Sequence, residues 1–420
     1  MRLGDIANES ALPHGRPLDG VRVLAAEQMQ ALPFATQLLA RLGAEVVKVE
    51  HPVHGESGRG STPAMTDPAG RPVGATYLRN NLNKKSVGLD LKTPEGRDLF
   101  VRLAANFDIV AENFKAGTMD RLGLGYADLS ARYPRLIYVS ITGFGNGIPG
   151  YLTESPYRSW PAYASVVEAM SGIYEYKWGP DRPPVTIPVG ALGDISSALF
   201  ATIGVLAALR HRDRTGVGQY VDVAMLDAVI AMTDVVTNFW SMGVRPHAGE
   251  LDVICEGFRA KDGYVVVQIV REPQFFRLAE VIGHPEWKAD PRFAHRRGWM
   301  PNLETVIRPA VEAWMADKTK LEAAELLTAA GIVAGPSNSA PDVIGDPHVA
   351  ARNMLVEMPR TDNLEDPILI PGNPVKLSKV SEGPETRVPW LGEHTDEVLR
   401  AELGVTDEQL AAWREAGVIG

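Results

Sequence analysis

VRVLAAEQMQALPFATQLLARLGAEVVKVE, residues 21–50, decides the fold class of this 420-residue chain. VRVLAAE (21–27) and VVKVE (46–50) are short apolar runs of the kind that form buried strands. Between them, FATQLLARLG (34–43) has helical spacing and closes on Gly43, which suits a helix C-cap. Strand, helix and strand in so short a span make a βαβ unit, and such units imply a parallel sheet.

The alternation continues outward from that unit. TPEGRDLFVRLAAN (93–106) opens with Thr93 as a capping residue and Pro94 at the first helical position. IVAENF (109–114) and LIYVSITGFG (136–145) read as further strands, the second running into the glycine-rich turn GFGNGIPG (143–150). ISSALFATIGVLAALR (195–210) has so little polar punctuation that a helix buried on nearly all sides is expected. HRDRTGVGQ (211–219) then reads as a loop, and YVDVAMLDAVIAM (220–232) begins as a strand and becomes helical. After Gly243 the character changes. GFRAKDGYVVVQIV is hairpin-like around the Asp262-Gly263 turn, helical segments follow around PQFFRLAEVIG and LEAAELLTAAG, and the turn-rich GPSNSAPDVIGDP (335–347) marks a boundary.

Composition narrows the function. Net charge is −10, with 45% hydrophobic and 22% charged residues, an ordinary globular balance with no nucleic-acid footprint. An anionic substrate therefore needs local cations. The single cysteine, Cys255, excludes an intrachain disulfide and a thiolate metal cluster. The first twenty residues lack a signal-peptide core, and the apolar run from Ala198 to Leu209 is too short to span a bilayer. A cytoplasmic enzyme without membrane or nucleic-acid partners is expected. HPVH (51–54) is a poor metal pair without a third ligand, so no metal site is expected. No phosphate loop of the Walker type and no nucleophile-elbow serine occurs. GFGNGIPG lacks the helix that a dinucleotide fingerprint requires directly after its glycines, because Pro149 and Gly150 follow. It reads instead as a loop that lets a substrate approach the backbone.

GALGDISSALF (190–200) poses the sharper question. Asp194 before an apolar helix is an N-cap by position. Yet Gly190 and Gly193 leave space beside it, and a helix N-terminus favours the ionised carboxylate. An ionised, uncrowded carboxylate is also a nucleophile.

Around these residues the sequence resembles the family III CoA-transferases, the formyl-CoA, carnitine and related acyl-CoA transferases with the α-methylacyl-CoA racemases as cousins. The resemblance rests on PLDGVRVLAAEQMQALPFATQLLARLGAEVVKVE, NKKSVGLDLKTPEGRDLF, IVAENFKAGTMDRLGLGY, GALGD, RTGVGQYVDVAMLDAV, PEWKADPRF and LGEHTDEVL, in order from residue 18 to about 405. It implies that Asp194 is the nucleophile, attacking an acyl-CoA thioester and passing through an aspartyl anhydride and an aspartyl-CoA thioester before an acceptor carboxylic acid takes the CoA. It implies CoA contacts at Gln30, Ala31, Leu89, Asn113, Phe114 and Arg121, with Gly143, Phe144, Gly145, Tyr163 and Gly193 lining the active site. Leu32 stands where the family has a glycine after Q-A, and His51 where it has a basic residue. CoA and acyl-CoA enter as substrates, with no tightly bound cofactor.

The racemase branch adds a histidine-aspartate pair, which here is Tyr163-Ala164. A phenol is a poor base at physiological pH, so CoA transfer is the first reading, with an acyl-CoA isomerase and a non-catalytic acyl-CoA-binding protein as alternatives. The formyl-CoA branch's glycine-only loop is missing between Val253 and Phe293. Arg16, Arg158, Arg182 and Arg259 are candidates for holding an acceptor carboxylate. By the same resemblance the fold is α/β. A Rossmann-like large domain spans 1–225 and is completed by 336–420. Linkers at 226–249 and 321–335 flank a smaller α/β domain at 250–320. Two chains interlock as a homodimer.

Overall fold

The computed structural model describes residues 1–174, 191–244, 252–362 and 364–420. Six strands form a wholly parallel sheet: β1 (Arg22–Ala26), β2 (Glu45–Glu50), β3 (Lys84–Gly88), β4 (Ile109–Glu112), β5 (Ile137–Thr142) and β6 (Tyr220–Ala224). Their spatial order is β3-β2-β1-β4-β5-β6. The chain thus builds one half outward from the centre and returns to build the other, which is the doubly wound arrangement. Its switch point lies between β1 and β4, and the connections leaving those two strands open a crevice there.

Alternation along the strands divides two cores. Val23, Ala25, Val46, Ile109, Ala111, Ile137, Val139 and Ile141 face one side, against helix α1 (Ala31–Arg41). Leu24, Ala26, Val47, Val49, Val87, Val110 and Tyr138 face the other. That second face is closed by Leu99, Phe100 and Leu103 of α3 (Pro94–Ala104), by Val398 and Leu399 of α12 (Thr395–Leu403), and by Leu410 of α13 (Asp407–Glu415). The C-terminal segment is therefore part of the same core, tied further by the paired hydrogen bonds of Arg22 to Glu402 at 2.9 and 2.5 Å. α1 starts at Ala31 rather than Phe34. Gly43 follows its end at φ +115°, a conformation that L side chains rarely adopt. Thr93 caps α3 as expected, accepting the Gly96 N–H at 3.0 Å. Short helices α2 (Ala75–Asn80), α4 (Thr118–Arg121) and α5 (Tyr126–Arg132) lie in the connections.

Between β5 and β6 come α6 (Ala164–Met170) and α7 (Leu192–Thr215), and α8 (Met225–Ala231) follows β6. α7 runs 24 residues, past both ends of the expected helix, and takes in HRDRT before Gly216 turns the chain at φ +77°. By length and composition it is long and apolar enough to cross a membrane, and half of its apolar window is buried inside the fold. The expectation of near-complete burial fails here. Ala198, Ala201, Val205 and Ala208 pack inward, whereas Leu199, Phe200, Ile203 and Leu206 are exposed, Ile203 to 61%. Small residues let the helix sit close to the sheet and leave the large ones facing outward.

The chain divides into two compact units, one of Met1–Gly243 with Ala350–Gly420 and one of Val244–Val349. In the second, β7 (Ile254–Ala260) and β8 (Gly263–Ile269) form the hairpin expected at Asp262-Gly263, and β9 (Val333–Pro336) adds antiparallel to β8. Helices α9 (Glu272–Val281), α10 (Arg308–Met315) and α11 (Lys320–Ala329) pack around Phe275, Trp287, Phe293 and Trp299. Residues 321–335, expected as a linker, form α11 and the start of β9, with Ala323, Ala324 and Leu327 buried in this core. The turn-rich stretch 335–347 does border the change of unit, at its far end.

Candidate active site

The crevice at the switch point holds a cavity of about 290 Å³. Its walls come from the turn after β1 (Gln28, Met29, Gln30, Ala31), the turn after β4 (Asn113, Phe114, Lys115), Gly143 after β5, Arg158, Tyr163 and Asp194. Two side chains fix the first turn. Asn113 Oδ1 accepts the Gln28 N–H at 2.7 Å and its Nδ2 donates to the Gln28 carbonyl at 2.9 Å. Met29 sits at φ +60°, unusual for a side chain of its size, and its N–H donates to Oε2 of buried Glu56 at 2.9 Å. Beneath the turn, Glu27, Lys48 and Lys84 form a buried ion cluster, Lys84 lying 2.7 Å from Glu27. Burial pushes the Lys84 ammonium down to about 8, against the opposing pull of Glu27.

Asp194 is the third residue of α7, and the N-cap is Ala191. The N-cap reading of Asp194 is therefore corrected: its side chain makes no capping bond. Burial pushes its carboxyl up to about 6, the Glu168 charge adds to the rise, and Arg79 opposes it. Arg79, from α2, donates to Gln30 Oε1 at 3.2 Å, and its own guanidinium is lowered by burial. Gly193 does not open space for a ligand. A Cβ there would lie 2.9 Å from Val167 Cγ2 and 3.1 Å from Ala164 Cα, so this glycine admits α6. Gly190 lies outside the described residues.

Of the residues singled out in the sequence, Gln30, Ala31, Asn113, Phe114, Gly143, Tyr163 and Asp194 share this cavity. Leu89 does not. It lines an adjoining cavity of about 340 Å³ with His51, Lys92, Thr118 and Leu122, and Gln28 and Phe114 border both spaces. Arg121 borders neither; it is exposed and donates to Thr118 Oγ1 at 3.0 Å. The glycine loop borders this cavity at Gly143 and another of about 400 Å³ at Asn146, Gly147 and Pro149, and it is braced by internal contacts. A Cβ on Gly143 would meet Ala162 Cβ at 2.2 Å, and Gly145 donates to Thr142 Oγ1. Asn146 and Gly147 donate to Asp222, and Phe144 is buried against Tyr157 and Trp160.

Among the arginines considered for a carboxylate, Arg158 lines the Asp194 cavity, where it pairs with Glu154 at 3.0 Å and Asp120 at 3.4 Å. Arg16 is paired with Asp19, Arg259 belongs to the other unit, and Arg182 lies outside the described residues. Sequence reading missed Lys115, Arg79 and Glu168. Lys115 stood next to the quoted Asn113-Phe114 pair, but nothing local distinguished the other two. Among the described residues no group of three His, Cys, Asp or Glu is placed to hold a metal ion.

The profile of CoA-transferase family III matches residues 18–395. The chain belongs to CoA-transferase family III. The transferase is 36% identical over 410 residues to a succinyl-CoA–L-malate CoA-transferase beta subunit of Chloroflexus aurantiacus, covering 96% of this chain and 98% of that one. It is 34% identical over 431 residues to a formyl-CoA:oxalate CoA-transferase of Streptomyces coelicolor, covering 96% and 99%. A solved CaiB/BaiF family protein from Brucella suis superposes with a TM-score of 0.79 at 32% identity, over 92% of this chain and all of that one. The transferase is thus an enzyme whose substrates are CoA thioesters, and its parallel α/β architecture is that of the CaiB/BaiF structures.

Proposed function

We propose that the transferase moves CoA from an acyl-CoA donor to a carboxylic acid acceptor through covalent intermediates on Asp194. The observation that carries this is the position of one half-buried carboxylate in a cavity at the sheet's switch point, facing the turns after β1 and β4. An Asp194 oxygen attacks the thioester carbonyl and the C–S bond breaks, leaving a mixed anhydride and CoA thiolate. The thiolate attacks the Asp194 carbonyl, the donor leaves as a carboxylate, and an aspartyl-CoA thioester remains. The acceptor carboxylate then runs the two steps in reverse and restores Asp194. Acyl activation is conserved throughout, so no net proton or external energy is needed.

The raised basicity of Asp194 supports this role, because a carboxylate out of full hydration is a stronger nucleophile. Nucleotide binding is assigned to the adjoining cavity beside Leu89 and Lys92, with Arg121 at the surface nearby, and the pantetheine arm to the border at Gln28 and Phe114. In this reading CoA is held by the unit of residues 1–243 and 350–420. Relatives named for succinyl-CoA, malate and oxalate favour dicarboxylic acids here too, and Lys115 and Arg158 are suited to a second carboxylate. A cytoplasmic homodimer, interlocked as the family resemblance implies, completes the reading. The outward Leu199, Phe200, Ile203 and Leu206 supply an apolar face for such an association.

Incubation with succinyl-CoA and hydroxylamine, followed by peptide mass spectrometry, is expected to find Asp194 converted to a hydroxamate. Asp194→Ala is expected to lose transfer while still binding CoA. An unmodified Asp194 under turnover sinks the proposal.

A further inference from the structure

Glu168 lies on α6, is 3% exposed, and points its carboxylate at the start of α7. Its Oε1 accepts the Gly193 N–H at 3.0 Å and its Oε2 accepts the Tyr174 hydroxyl. A helix start normally draws its cap from its own N-cap side chain, and Ala191 has none to offer. The cap comes instead from a neighbouring helix, held close by the Gly193 contact with Val167 and Ala164. This cap brings a second negative charge beside Asp194.

We propose that Glu168 is a positioning residue that keeps Asp194 reactive and favours its covalent intermediates. The inference rests on Asp194 being the nucleophile. The positive end of α7 acting alone would stabilise the Asp194 carboxylate and blunt it as a nucleophile. Glu168 offsets that field and takes up one of its N–H groups. When Asp194 becomes an anhydride or thioester its charge disappears, and so does the repulsion from Glu168. The free carboxylate is disfavoured and the covalent states are not.

Other charged and titratable groups are arranged differently. Lys115, Arg158 and Tyr163 share the cavity with Asp194, which accepts no hydrogen bond from them, and among the described residues Arg79 is the cation whose charge opposes the Glu168 effect. Among the other elements packed on α7, α1 carries Arg41, paired with Glu385. β6 carries Asp222, occupied by the Asn146 and Gly147 N–H groups, and α8 carries Asp227.

Glu168→Gln removes the charge and keeps an oxygen for the Gly193 N–H. The acid limb of kcat/KM is expected near pH 6 in the unaltered enzyme and is expected to move down by about 0.5–1 unit in the variant, as for removal of a neighbouring like charge. The hydroxylamine-trappable fraction of Asp194 is expected to fall about three- to tenfold, each pH unit corresponding to about tenfold. Glu168→Asp keeps the charge and loses the reach, so its limb stays in place while its melting temperature drops. A limb and trapped fraction unchanged in Glu168→Gln, with Asp194 still trapped in the unaltered enzyme, overturn this inference alone. No adduct on Asp194 in the unaltered enzyme overturns the nucleophile reading and takes this inference with it.

Discussion

Asn113 shows how a residue assigned to ligand binding can act one step removed. Both ends of its amide are bonded to the Gln28 backbone, which leaves it shaping the turn that forms the cavity wall. Asn113→Ala strands a donor and an acceptor in that turn and is expected to cost about 1–3 kcal/mol. A lower melting temperature together with a rise of roughly tenfold in KM for acyl-CoA is the expected outcome. An unchanged melting curve with the same KM rise would instead mark a direct ligand contact. At this scale the sequence was informative about which residues share the cavity when each lies in its own quoted motif, as Asp194, Gln30 and Phe114 do. It was silent on Arg79 and Glu168, which reach the site from α2 and α6 across distances that no local pattern encodes.

At the level of elements, the seam between α6 and α7 constrains the candidate site. Gly193 reads in sequence as space for a ligand, and the structure uses that space for Val167 and Ala164. Gly193→Ala forces the two helices apart and is expected to destabilise by about 1–3 kcal/mol, with a loss of activity larger than the loss of folded protein. Gly60→Ala, where a Cβ meets nothing within 4 Å, is the matched control and is expected to be silent in both thermal melting and activity. Element type was legible wherever periodicity was strong: β1, α1, β2, the capped α3 and the β7–β8 hairpin all follow from pattern and turn chemistry. Boundaries were less so. Charged residues in HRDRT suggested a loop, but an exposed final turn tolerates charge, and α7 continues through it to Gly216. Within 321–335 the helix was legible in LEAAELLTAAG but its place in the second core was not, because α11 buries Ala323, Ala324 and Leu327 while Leu321 and Leu326 stay exposed.

Across the whole molecule, the doubly wound sheet was foreshadowed by its first thirty residues, because successive βαβ units admit one handedness and few topologies. What a single sequence conceals is which apolar residues the fold leaves facing outward. α7 is apolar around its circumference, so composition alone predicted burial, while the structure divides it into an inward face of small residues and an outward face of large ones. Ile203 is 61% exposed, so Ile203→Glu is expected to cost the chain itself little. In the homodimer reading it is expected to shift the mass measured by light scattering from two chains toward one. An unaltered mass in that variant would remove this face from any subunit contact.

One ring and one amide, Phe114 and Gln28, form the partition between the two cavities. If the nucleotide occupies the Leu89 cavity as proposed, replacing either to admit a bulkier acid is expected to loosen the grip on it in the same stroke. Change in acid preference should therefore accumulate at positions that border the Asp194 side alone, Lys115 and Tyr163, and libraries built to redirect the enzyme are best concentrated there.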